Sequence, residues 1–132
     1  MKTHEIDSTY RQFYVADLCL KPMAPEVWTD ENVEQRHNTL KNIVALCPEG
    51  QITARVIIMP PGEQYHSSVQ PEFVVNSFIE IVTGELGVYE WPWELLEQHS
   101  VNPGKYQIRF TGYDLNEIES ERDFYVVEFK QA

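Results

Sequence analysis

Basic residues are scarce in this sequence. Ten Lys and Arg stand against 21 Asp and Glu, a formal net charge of −11 with a pI near 4.7. A phosphate backbone or an anionic membrane would be repelled by such a surface, which argues against direct nucleic-acid and membrane partners. Cysteine is nearly absent: Cys19 and Cys47 are the only thiols, and their wide separation predicts reduced core residues rather than a disulfide or a redox pair. No stretch approaches the ~18 apolar residues of a membrane span, and Met1–Asp7 lacks the apolar core of a signal peptide, so a cytoplasmic location is expected. Also missing are a G-x-S-x-G elbow, a phosphate-binding Gly-rich loop, a C-x-x-C pair and an H-E-x-x-H helix, each of which would place a nucleophile or a metal. His4, His37, His66 and His99 stand singly. No enzyme activity, metal or cofactor is expected; a metal set gathered from distant strands is the case that spacing leaves open.

What the chain does have is enough apolar surface to fold. Its 132 residues are 42% apolar and 12% aromatic, and a chain of roughly this size buries about two thirds of its unfolded surface. One domain over residues 1–132 is the expectation. Tyr10–Ala16 is aromatic and β-branched and reads as a first strand. Lys21-Pro22-Met23-Ala24-Pro25 interrupts regular structure, and Thr29 before Asp30 and Glu31 looks like an N-cap opening a short helix, with Val33, His37 and Leu40 at helical spacing. Ile43–Cys47 and Ile52–Met59, joined by Pro48-Glu49-Gly50, read as a hairpin whose second strand is central. Phe73–Val75, Phe78–Val82 and Leu86–Glu90 follow as strands, the last two across the Thr83-Gly84-Glu85 turn. Lys105–Thr111 alternates with Tyr106, Ile108 and Phe110 inward, and Phe124–Phe129 is the last strand. Seven or eight strands with one or two short helices predict an all-β, mainly antiparallel, single-domain β-sandwich.

Two features could carry function. From Val56 to Gly104 there is no Lys or Arg while seven Glu occur, and a second acidic stretch runs from Asp114 to Asp123. Either can steer a basic partner or simply keep the chain soluble. Glu117 and Glu119 lie in the second stretch, where a carboxylate pair for acid–base work would need pKa values driven apart in a cleft. The other feature is Trp91-Pro92-Trp93, after Glu90 and before Glu94–His99, which is read as one or two helical turns with Pro92 in the first. Two Trp among carboxylates would anchor a protein partner. The burial habit of large aromatics favours the plainer role, both rings capping the open end of the sandwich with Leu95 and Leu96.

The order of Tyr10-x-Gln12-Phe13-x-Val15, Trp28-Thr29-Asp30-Glu31-x-Val33-Glu34, Pro71-x-Phe73-x-Val75 and Pro103-Gly104-x-Tyr106-Gln107 resembles the competence-associated nuclease inhibitors of bacteria, the ComJ or Nin family. The resemblance spans most of the chain, and the Trp28–Glu31 segment is its distinctive part. It implies a small cytoplasmic protein that binds a DNA-degrading nuclease and blocks it without catalysis. The acidic charge suits that role, because carboxylates can occupy a groove built for polyanions. The partner expected is therefore a basic nuclease or toxin, and a homodimer is left open. Candidate contact residues are Trp28, Asp30, Glu31, Glu90, Trp91, Trp93, Glu117 and Glu119. The rival reading is a small-ligand or carbohydrate-binding β-domain with Trp28, Trp91 and Trp93 stacking on the ligand.

Overall fold

Period-2 alternation builds most of this molecule. The computed structural model describes residues 2–7, 12–48, 53–90, 93–113 and 124–132. In it, β1 (Lys2–Asp7), β2 (Phe13–Asp17), the helix α1 (Asp30–Gln35), β3 (His37–Thr39), β4 (Ile43–Leu46), β5 (Thr53–Ile58), β6 (Phe73–Ile81), β7 (Glu85–Glu90), β8 (Glu94–Ser100), β9 (Gly104–Tyr113) and β10 (Phe124–Gln131) follow in chain order. They form two five-stranded sheets, β1-β5-β10-β9-β6 and β3-β4-β2-β7-β8. Every pairing is antiparallel except that of β10 with β5. The all-β sandwich expected from the sequence is the observed fold. None of the helices is long and apolar enough to cross a membrane, among the described residues.

The core lies between the sheets. Along β9, Tyr106, Ile108 and Phe110 point inward as their alternation predicts. Phe110 meets Phe13 edge-on at 5.5 Å across the sheets and stacks on Tyr125 at 5.4 Å within its own, contacts worth about 0.5–1.5 kcal/mol each beyond the area they bury. The two flanks of the sandwich are closed by polar links. On one, Glu80 N–H donates to the Lys41 carbonyl at 2.8 Å and the Thr39 and Ser77 hydroxyls meet at 2.6 Å. On the other, the buried Glu97 carboxylate of β8 accepts from His4 Nε2 of β1 at 2.6 Å and from His99 Nε2 at 2.8 Å. Two histidines that stand singly in sequence thus share one carboxylate between the sheets.

Several expectations are corrected. β4 and β5 are not a hairpin, for they lie in different sheets. The Thr83-Gly84 turn likewise carries the chain from β6 in one sheet to β7 in the other, and Phe73–Ile81 is one continuous strand. Glu94–His99 is strand, not helix: opposite β7 its backbone is satisfied by the ladder, with a bulge at Val88/Tyr89, and pairing overrides local helix preference. α1 ends at Arg36, which takes a left-handed φ of 66°, so His37 belongs to β3 and the helical stripe stops at Val33. β1 went unpredicted because an edge strand needs only one buried apolar residue, here Ile6. Neither cysteine is a core residue; Cys19 is exposed and Cys47 half-buried, and the two are not joined in a disulfide.

Candidate functional site

Both faces of β2 are buried, and that decides where the site lies. Phe13 and Val15 face the core, while Tyr14 and Ala16 point outward beside Ile43 and Ala45 of β4. An apolar outer face must be covered, and the segment Leu18–Trp28 does so. Pro22 and Pro25 lack donors, which suits a strap that runs over a sheet without pairing to it. Its start is fixed by Leu18 N–H on the Glu85 carbonyl at 2.8 Å, its end by Asn38 Nδ2 on the Val27 carbonyl at 2.8 Å. Asp17, wholly buried, reinforces the start: its carboxylate accepts from the Val82 N–H at 2.6 Å, the Thr83 N–H at 3.0 Å and the Thr83 hydroxyl, with Leu20 N–H at 3.4 Å. Burial pushes the Asp17 pKa up, but these donors, led by the Thr83 hydroxyl, outweigh it and leave the pKa below the usual carboxylate value.

The strap leaves part of the face open. A groove of about 890 Å³ runs between it and the end of β7, within the size range of ligand and peptide pockets. Met23, Pro25 and Trp28 form its strap wall, and Ala16, Tyr89 and Trp93 its sheet side. Trp93 stacks on Tyr14 at 5.0 Å and 21° and meets Tyr89 edge-on at 5.2 Å, yet 46% of it remains exposed. Gly87 makes room for this arrangement, since a Cβ there would stand 2.8 Å from the Tyr89 ring. Beneath Trp93 the Tyr14 hydroxyl is buried with no hydrogen-bond partner among the described residues, and its pKa is pushed up to about 12, by burial first and then by Cys47. Gln12 Oε1, on the groove wall, is a second buried acceptor without a partner among the described residues.

The predicted site residues separate into groups. Trp28 and Trp93 share the groove. Asp30 and Glu31 begin α1, one residue past the Thr29 N-cap; both are exposed, and the capping box is complete, with Asn32 N–H on Thr29 Oγ1 and Thr29 N–H on Asn32 Oδ1 at 3.1 Å each. Acids there also suit the positive end of the helix. Glu90 ends β7 next to Tyr89 and is half-buried. Trp91, Glu117 and Glu119 fall outside the described residues. Trp93 does not cap the open end of the sandwich: it lies on the outer face of the second sheet, and only Leu96 of the expected capping pair packs on the main core, Leu95 being exposed.

Nor is the Val56–Gly104 run one acidic field. Glu80 sits 3.7 Å from Lys41, Glu97 is buried between two histidines, and Glu85 is held by Gln98 and Ser100. Tyr89, Gln12 and Met23 were missed as groove residues; the outward apolar pair Tyr14 and Ala16 was the sequence signal that something must lie there.

This architecture is that of a two-sheet sandwich known from a nuclease-inhibiting protein. The chain is similar along its whole length to the crystal structure of ComJ, inhibitor of the DNA degrading activity of NucA, from Bacillus subtilis, with a TM-score of 0.75 at 18% identity over 100% of this chain and 96% of that one. The resemblance carried by the Trp28–Glu31 and Pro103–Gln107 segments is thereby matched in fold. No protein-family model matches the chain, and no curated protein does.

Proposed function

We propose that this chain is a non-enzymatic, cytoplasmic inhibitor of a DNA-degrading nuclease, an immunity-type protein that acts by stoichiometric binding. The observation that carries the reading is the end-to-end correspondence with ComJ, itself an inhibitor of such an activity. The charge of −11 supports a basic nuclease or toxin as partner, since a site made to attract polyanions also attracts carboxylates. The test is direct: an equimolar amount of the protein is added to the nucleases encoded in the same genome and plasmid degradation is followed. Loss of degradation by one of them is expected; failure with all of them overturns the reading. Raising salt from 0.05 to 0.5 M shortens the Debye length from roughly 14 to 4 Å and should slow association more than it speeds dissociation. Asp30→Lys with Glu31→Lys should weaken binding, with Glu117→Lys and Glu119→Lys as the comparison pair. Binding of a small ligand or carbohydrate is a second reading, favoured by the groove between Trp28 and Trp93.

A further inference from the structure

We propose that the groove on the outer face of the second sheet is the seat of an arginine presented by a loop of the partner protein; this rests on the inhibitor reading. The groove offers acceptors and π-faces. Gln12 Oε1 is buried on its wall without a donor among the described residues, Glu26 stands on its strap, and Trp93, stacked on Tyr14 and edge-on to Tyr89, keeps 46% of its surface exposed. A guanidinium matches all three, because it is planar, weakly hydrated and rich in donors, and it stacks on Trp while donating hydrogen bonds from its edge. An ammonium is more strongly hydrated and makes a poorer stacking partner.

Charge favours the same occupant. The strap and α1 carry exposed Glu26, Asp30, Glu31 and Glu34, and Lys21 is their one cation between Leu18 and Gln35. Lys21 also lines the groove, so the guanidinium is placed toward Gln12 and Trp93. The volume exceeds that of one arginine side chain, leaving room for the apolar neighbours of a loop against Met23 and Pro25.

The experiment compares wild type with Trp93→Ala and Gln12→Leu for affinity to the inhibited nuclease, with circular dichroism to verify folding, and adds Gly87→Ala, whose Cβ would stand 2.8 Å from the Tyr89 ring and push it from its place beside Trp93. Each should weaken binding, Trp93→Ala by about tenfold or more, as for an interface hot spot. In parallel, tryptophan fluorescence of the free protein is titrated with acetyl-Gly-Arg-Gly-amide, its lysine counterpart and cellohexaose. Quenching by the arginine peptide, weaker with lysine and lost in Trp93→Ala, is expected. Inhibition that survives Trp93→Ala and Gln12→Leu overturns the groove and leaves the inhibitor reading standing. Quenching by cellohexaose and not by the arginine peptide overturns it in favour of a carbohydrate. A wild type that inhibits no nuclease overturns the inhibitor reading and the partner named here with it.

Discussion

The two outer faces of the sandwich are built on opposite plans. On the first sheet, opposite charges stand directly across from each other in the ladder: Glu5 faces Arg55, Glu80 faces Lys105, and Arg109 faces Glu128. Lys105 also lies over the Phe78 ring at 4.9 Å, and Tyr65 folds over the apolar end near Tyr113 and Phe124. On the second sheet the corresponding pairs are Tyr14 with Tyr89, Ala16 with Gly87, and Ala16 with Ile43. One face is thus adjusted to water by its own charges. The other needs cover, and the strap supplies it incompletely, which is why an aromatic groove survives there.

Substitutions should expose that asymmetry in decreasing order of effect. Tyr14→Ala removes a fully buried ring that supports Trp93 and should cost roughly 3–5 kcal/mol in denaturant unfolding, whereas Tyr14→Phe, which deletes only the unpartnered hydroxyl, should be neutral or stabilising. A large loss in Tyr14→Phe would show that the hydroxyl has a partner after all. Glu97→Leu should cost about 1–3 kcal/mol, because both imidazoles lose their acceptor between the sheets; an unchanged midpoint would remove the clasp from the account of stability.

Asp17 provides a pH-dependent comparison. Its native pKa lies below the ordinary aspartate value of 3.8, so its ionised form stabilises the fold fully above that value and the stabilisation is lost as pH falls through the lowered native value. Asp17→Asn should therefore lower stability at neutral pH and flatten the acid limb of the stability curve, measured by unfolding between pH 2 and 7. A parallel curve for the variant would contradict the assignment. The smallest effect belongs to the first face: Glu5→Lys sets like charges opposite each other and should cost about 0.2–1 kcal/mol, an effect that high salt should reduce.

Much of this could be read in the amino-acid order. The alternation of β9, the strand over Phe124–Phe129 and the Thr29 cap follow from local chemistry. Sheet membership did not, because a Gly- or Pro-containing turn looks the same whether the chain returns in its own sheet or crosses to the other, as after β4 and β6. β8 was misread since Leu95 and Leu96, flanked by Glu94 and Glu97, suit a helix as well as a bulged strand. Of the site, Trp28 and Trp93 were legible as unusual residues. Their meeting was not, since it depends on a proline-bearing strap that sequence shows only as an interruption.

The parallel pairing of β10 with β5 has a consequence for how the chain is assembled. β10 occupies the middle of the first sheet, between β5 and β9, so β1 and β5 cannot join β9 and β6 until residues 124–131 have been synthesised. The second sheet needs nothing beyond Ser100. During translation the strands that carry the groove can therefore pair first, while β1 and β5 wait with an apolar inner face exposed. Pairing across so long a separation is slow and open to aggregation, and shortening the chain at β10 would strike the interior of one sheet rather than its edge.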